Sequence, residues 1–103
     1  MEIQIKQEPH ETVLLLESES ILGNEAVQIQ NTVLDQIENG CKKIVIDLTK
    51  INYLTSWGAG ILIYAHTTCQ NRNVVFSLTG VNAMVMDIFK KVKLDKIFDI
   101  DEP

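Results

Sequence analysis

Few side chains in this sequence are equipped for chemistry. They are two histidines, His10 and His66, two cysteines, Cys41 and Cys69, and one serine set among glycines in Thr55-Ser56-Trp57-Gly58-Ala59-Gly60. A hydrolase nucleophile sits in Gly-x-Ser-x-Gly. Here Leu54 stands where the first glycine belongs, and neither histidine is placed as its base. Gly58-Ala59-Gly60 lacks the third glycine of a dinucleotide fingerprint and any phosphate-binding lysine. Close packing of a helix start explains these small residues better. His66 and Cys69 share a helix face at i, i+3. A metal needs three or four ligands, and no other candidate is near in sequence. The cysteines form no Cys-x-x-Cys pair and read as reduced thiols. No catalytic residue, metal or cofactor is expected, so the chain reads as a non-enzyme.

Ser56 remains. It follows the apolar run Ile44-Val45-Ile46-Asp47-Leu48 and precedes Ile61-Leu62-Ile63-Tyr64-Ala65, which places it in the turn from a buried strand to a helix. A hydroxyl there accepts a hydrogen bond from a free N–H of the first helical turn, and either Thr55 or Ser56 can do so. The same place carries partial positive charge and tolerates an anion. If Thr55 caps the helix, the Ser56 hydroxyl points outward and Trp57 comes near the surface, where tryptophan is a frequent interface anchor. Otherwise Trp57 folds over the neighbouring core.

The elements around this turn follow from periodicity. Glu2–Gln7 alternates as a short edge strand with Ile3 and Ile5 on one face, ended by Pro9. Thr12–Glu17 is a more buried strand, close enough to pair with it as a hairpin. Asn24 is the expected cap of a helix whose stripe is Ala26, Ile29, Val33 and Ile37, stopped by Gly40. Lys43–Leu48 suits a parallel strand covered on both faces. The helix from about Trp57 to Asn71 carries only His66 as an ionisable group between Trp57 and Gln70. It must be mostly covered or present an apolar face to a partner. Val74–Leu78 is the next strand. Val81, Val85, Ile88 or Phe89, and Val92 stripe a third helix, with Asn82 its expected cap and Lys90, Lys91 and Lys93 in its last turn. Leu94–Ile100 is expected as a short edge strand. The order β-β-α-β-α-β-α, with that closing strand, predicts an α/β fold: a mixed sheet of four to five strands with helices packed against it.

Length and charge limit the possibilities further. The 103 residues are expected to form one domain, 1–103, burying roughly 60–65% of the unfolded surface. A net charge of −5 argues against nucleic acid. Met1–Lys6 lacks the apolar core of a signal peptide, and no apolar run approaches the ~20 residues that span a bilayer, so a cytoplasmic protein without direct membrane insertion is expected.

The run Val45-Ile46-Asp47-Leu48-Thr49-Lys50-Ile51-Asn52-Tyr53-Leu54-Thr55-Ser56-Trp57-Gly58-Ala59-Gly60 resembles the central segment of the STAS domain, the family of the anti-sigma factor antagonists. Val92–Phe98 is similar to the family's closing segment, and the element order agrees along the whole chain. In the family, an Asp-Ser-x-Gly-x-Gly run heads the second helix, and its serine is phosphorylated by an anti-sigma factor that is also a kinase. The resemblance implies phosphorylation at Ser56 and partner binding by Thr55, Ser56, Trp57, Gly58 and Ala59. The implied partner is an anti-sigma factor or serine kinase-like protein of a bacterium; a homodimer stays open. Thr55 replaces the family's usual Asp, and Trp57 a smaller residue. Those departures keep a second reading in view: a non-cycling STAS scaffold or subunit, as in a stressosome or a lipid-transport ATPase.

Overall fold

Alternation and a tight turn make the first hairpin. A computed structural model, which describes residues 1–101, pairs β1 (Glu2–Gln7) antiparallel with β2 (Thr12–Glu17), Ile3 opposite Leu16 and Ile5 opposite Leu14. The Glu8 N–H donates to the Glu11 carbonyl across the turn (2.8 Å). β3 (Ser20–Ile21) follows, then α1 (Ala26–Glu38), β4 (Lys43–Asp47), β5 (Tyr53–Leu54), α2 (Ser56–Asn71), β6 (Val75–Thr79) and α3 (Ala83–Lys91). The main sheet runs β1-β2-β4-β6, with β2, β4 and β6 mutually parallel. This is a mixed four-stranded sheet with three helices, the α/β architecture expected.

One core holds the layers together. Leu14, Leu16, Ile44, Ile46, Phe76 and Leu78 from one sheet face meet Ile29 and Val33 of α1, Leu62 and Ala65 of α2, and Val85 and Phe89 of α3. The helices therefore gather on one face of β4. Val45 points to the other side, outside that core, and is buried all the same. Full burial of an aliphatic or aromatic side chain contributes roughly 1.5–3 kcal/mol, so this layer carries most of the stability.

Three expectations are corrected. Asn24 does not cap α1: Glu25 occupies the cap position with no side-chain hydrogen bond to the helix. Its carboxylate turns back instead, to accept from the Leu22 and Gly23 amides (3.0 and 3.1 Å). Val92 is not core, because α3 ends at Lys91 and leaves it exposed. Residues 94–98 form a turn rather than a strand, tucking Leu94 and Phe98 inward; Ile100 alone bridges in parallel to Leu78. Asn82 does cap α3, its carbonyl oxygen accepting from the Val85 amide (2.9 Å).

Candidate functional site

A second, two-stranded sheet sets the head of α2. β3 and β5 pair in parallel, Ser20 with Tyr53 and Ile21 with Leu54. The Glu19 carbonyl accepts from the Asn52 and Tyr53 amides (2.7 and 3.2 Å), and the Ile21 carbonyl from the Thr55 amide (3.1 Å). Two side chains brace the same loop. The Asn82 amide donates to the Ile51 carbonyl (2.9 Å). Lys50 donates to the Glu17 carboxylate (2.8 Å), a bond that lowers the carboxyl's pKa and raises the ammonium's.

The capping alternatives resolve in favour of Thr55. Its backbone is extended (φ −79°, ψ 168°), as an N-cap requires. Its hydroxyl accepts from the Gly58 amide and donates to the Leu22 carbonyl, each at 2.9 Å. Ser56 is thereby released. It is the first residue of α2 and is exposed, and its hydroxyl makes no hydrogen bond to the described residues. No acidic residue lies in the first turn of α2, so nothing there opposes an added anion.

Trp57 stays outside the core at 70% exposure. Its ring lies across Gly23, where a Cβ would come within 2.6 Å of it and where φ is +125°. Gly58 and Ala59 turn inward: a Cβ on Gly58 would strike the Ile21 carbonyl oxygen. Close packing thus explains Gly58. It does not explain Gly60, whose missing Cβ faces nothing within 4 Å. Of the five expected contact residues, Ser56 and Trp57 reach the surface, Thr55 is half-buried, and Gly58 and Ala59 sit behind them.

Other candidates lie elsewhere. His66 packs edge-on against Phe76 and Phe98 (centroids 5.6 and 6.0 Å). Cys69 is fully buried, and burial pushes its thiol pKa up to about 11. Among the described residues, no group of three His, Cys, Asp or Glu side chains is arranged to hold a metal, and no helix is long and apolar enough to cross a membrane. Sequence reasoning missed the backbone carbonyls of Ile21 and Leu22 and the Asn82 brace. Main-chain acceptors leave no mark on side-chain patterns; the Asn82 cap was visible, its second bond was not.

This geometry matches known folds. A STAS domain protein of Planctomyces limnophilus, titled an anti-sigma-factor antagonist, superposes with a TM-score of 0.80 at 20% identity, over 95% of this chain and 87% of that one. A serine-to-glutamate variant of RsbS from Moorella thermoacetica gives 0.80 at 18%, over 100% and 88%. SpoIIAA of Bacillus, an anti-sigma factor antagonist, matches at 14% identity in its unphosphorylated form (0.77, over 98% and 89%) and in its phosphorylated form (0.70, over 98% and 92%). The STAS domain model itself spans residues 2–102, and the chain belongs to the STAS domain family.

Proposed function

We propose that this chain is an anti-sigma factor antagonist: a cytoplasmic, single-domain protein-binding switch set by phosphorylation of Ser56. One observation carries the reading. Thr55 takes over the capping role, which leaves Ser56 an exposed hydroxyl with no structural work, at a helix N-terminus. The surface offered to a partner is Ser56 and Trp57, with Thr55, Gly58 and Ala59 fixing its shape. A radius of gyration of 12.4 Å suits one packed unit of this length, for which about 13 Å is usual.

The switch acts through charge and bulk. Phosphorylation adds about −1.5 to −2 charges. The helix N-terminus favours that phosphate by roughly 0.3–1 kcal/mol, while a partner docked on the same spot meets a clash and a buried charge. The fold need not move. SpoIIAA, solved with and without phosphate, matches this chain in both forms. Ser56→Asp is expected to weaken binding to the anti-sigma partner, and Ser56→Ala to preserve it, by titration calorimetry. Equal affinities would sink the switch.

The fixed-scaffold reading is favoured by Thr55, which caps the helix without bringing the carboxylate usual in the family. Mass spectrometry of the protein from its own host separates the two. Phosphate on Ser56 supports the switch; a clean mass, unchanged by host lysate and ATP, supports the scaffold.

A further inference from the structure

The main sheet has two edges, and among the described residues the chain covers only one of them. Beyond β6, the Leu78 amide donates to the Asp99 carbonyl and the Asp101 amide to the Leu78 carbonyl (2.8 Å each). The other edge is β1, which pairs with β2 alone. The hairpin decides which of its main-chain groups face outward. The Glu8 amide donates to the Glu11 carbonyl, which makes Glu8 and Glu11 a hydrogen-bonded pair of the antiparallel ladder. From the next pair, Gln7 with Thr12, the register runs unbroken to Glu2 with Glu17. Lys6, Gln4 and Glu2 therefore bond to β2, while Gln7, Ile5 and Ile3 turn their N–H and C=O groups to the open side. Gln28 of α1 donates to the Met1 carbonyl (2.5 Å), so the open run starts at Ile3. We infer that this edge pairs antiparallel with β1 of a second copy, about a two-fold axis at Gln4. The inference is independent of Ser56: none of its residues belongs to the α2 head.

The strand is its own complement. Ile3, Ile5 and Gln7 hold the free main-chain groups, so they must meet one another, and the axis can fall at Ile3, Gln4 or Ile5. At Ile5 it would set Glu2 against Glu8, two like charges; at Ile3 it would set Glu2 against Gln4 and leave Lys6 beyond the strand's end. At Gln4 it sets Glu2 of each copy opposite Lys6 of the other, and Ile3 opposite Ile5. Glu2 and Lys6 then form a non-hydrogen-bonded pair, in which opposing side chains come closest. Ile3 and Ile5 exchange both main-chain bonds. Their side chains share the helix-bearing face with Leu16 and Leu14, so the pairing also covers Ile5, which is 48% exposed. Nothing within β1 guards the edge. It has no proline, glycine or bulge, and its one lysine, exposed and loosely paired with Glu8 (3.7 Å), meets a carboxylate in the dimer. A foreign strand would satisfy the same main-chain groups; the doubled charge match selects a second copy. A strand of about 20 Å buries less than the ~800 Å² per partner of a standard interface, so the dimer is a reversible one.

Sedimentation velocity of the whole chain, from micromolar to millimolar concentration, tests the pairing. The average mass is expected to rise toward that of two chains. Over the same range the Ile3 and Ile5 amides should gain protection from hydrogen exchange, while those of Gln4 and Lys6, already bonded to β2, should not change. Lys6→Glu and Glu2→Lys each set like charges opposite one another at both ends of the pairing, and each is expected to weaken the dimer about tenfold. The double variant Glu2→Lys/Lys6→Glu restores the match and the affinity. So does an equimolar mixture of the two single variants, which complement each other. Ile5→Pro removes an outward N–H without touching the β2 ladder and should abolish the dimer. Circular dichroism reports whether that variant folds; the charge variants, at exposed positions, decide the matter if it does not. A chain that stays monomeric throughout overturns the proposal and leaves the edge to a strand of another protein. A dimer that ignores the single variants, or that neither the double variant nor the mixture restores, overturns it as well. So does protection that rises at Gln4 and Lys6 instead of at Ile3 and Ile5.

Discussion

Thr55 concentrates more of the site's geometry than any other side chain, because one hydroxyl both accepts from the Gly58 amide and donates to the Leu22 carbonyl. Thr55→Ala is expected to cost about 1–2 kcal/mol in urea unfolding, and Thr55→Ser to recover most of it. Thr55→Asp keeps the acceptor and adds a favourable charge, but a carboxylate cannot donate to Leu22, so it should fall between the two. The glycines divide in the same way. Gly58→Ala drives a Cβ into the Ile21 carbonyl and should destabilise by about 1–3 kcal/mol, whereas Gly60→Ala meets open space and should stabilise by roughly 0.5–1 kcal/mol; thermal melts of the pair decide. The sequence shows two glycines at equal standing. Their difference depends on a carbonyl from β3, which no local pattern announces.

The helices share one way of stopping. After α1, α2 and α3 the chain turns through a positive φ at Gly40 (93°), Asn73 (58°) and Lys93 (63°). In each case the next amide reaches back to an earlier carbonyl: Cys41 to Gln36, Val74 to Cys69 and Leu94 to Phe89 (3.1, 2.8 and 2.8 Å). Glycine is at ease there and asparagine is tolerated, but lysine carries the steric cost of its Cβ. Lys93→Gly should therefore stabilise by about 1 kcal/mol, measured by chemical denaturation. Gly40 was readable as a stop because glycine advertises the left-handed turn. Lys93 was not, and its apparent place in the last turn of α3 made that helix look longer than it is. The start of α1 misled for a related reason: Asn24 has the right side chain, but the Glu25 carboxylate holds the approach by binding the amides before it.

At the scale of the molecule, the alternation of strands and helices was written in the hydrophobic periods, and the parallel order of β2, β4 and β6 follows from it. The two-residue strands β3 and β5 were not, since so short a segment has no period. Burial also leaves a titration signature. Cys69 holds its proton up to about pH 11 in the folded state, against 9.0 for the free thiol, chiefly because burial disfavours the thiolate. Its contribution is constant below pH 9.0. From there to about 11 the unfolded chain loses the proton first, so stability should fall across that window. Cys69→Ala should flatten this part of the pH profile relative to the parent. The β3–β5 pairing has a consequence for the order in which the molecule comes apart. Thr55 and the Leu22 carbonyl it grips are 33 residues apart in the chain. Only two rungs of ladder and a few loop hydrogen bonds join these segments, while the four-stranded sheet has ladders of its own. An excursion that frees residues 20–22 dissolves the surface around Ser56 and leaves the central sheet standing, a cooperative unit smaller than the fold. Thr55 then keeps its bond to the Gly58 amide but not the one to Leu22, and Ser56 stays the first residue of a helix whose head has lost the strand that braces it.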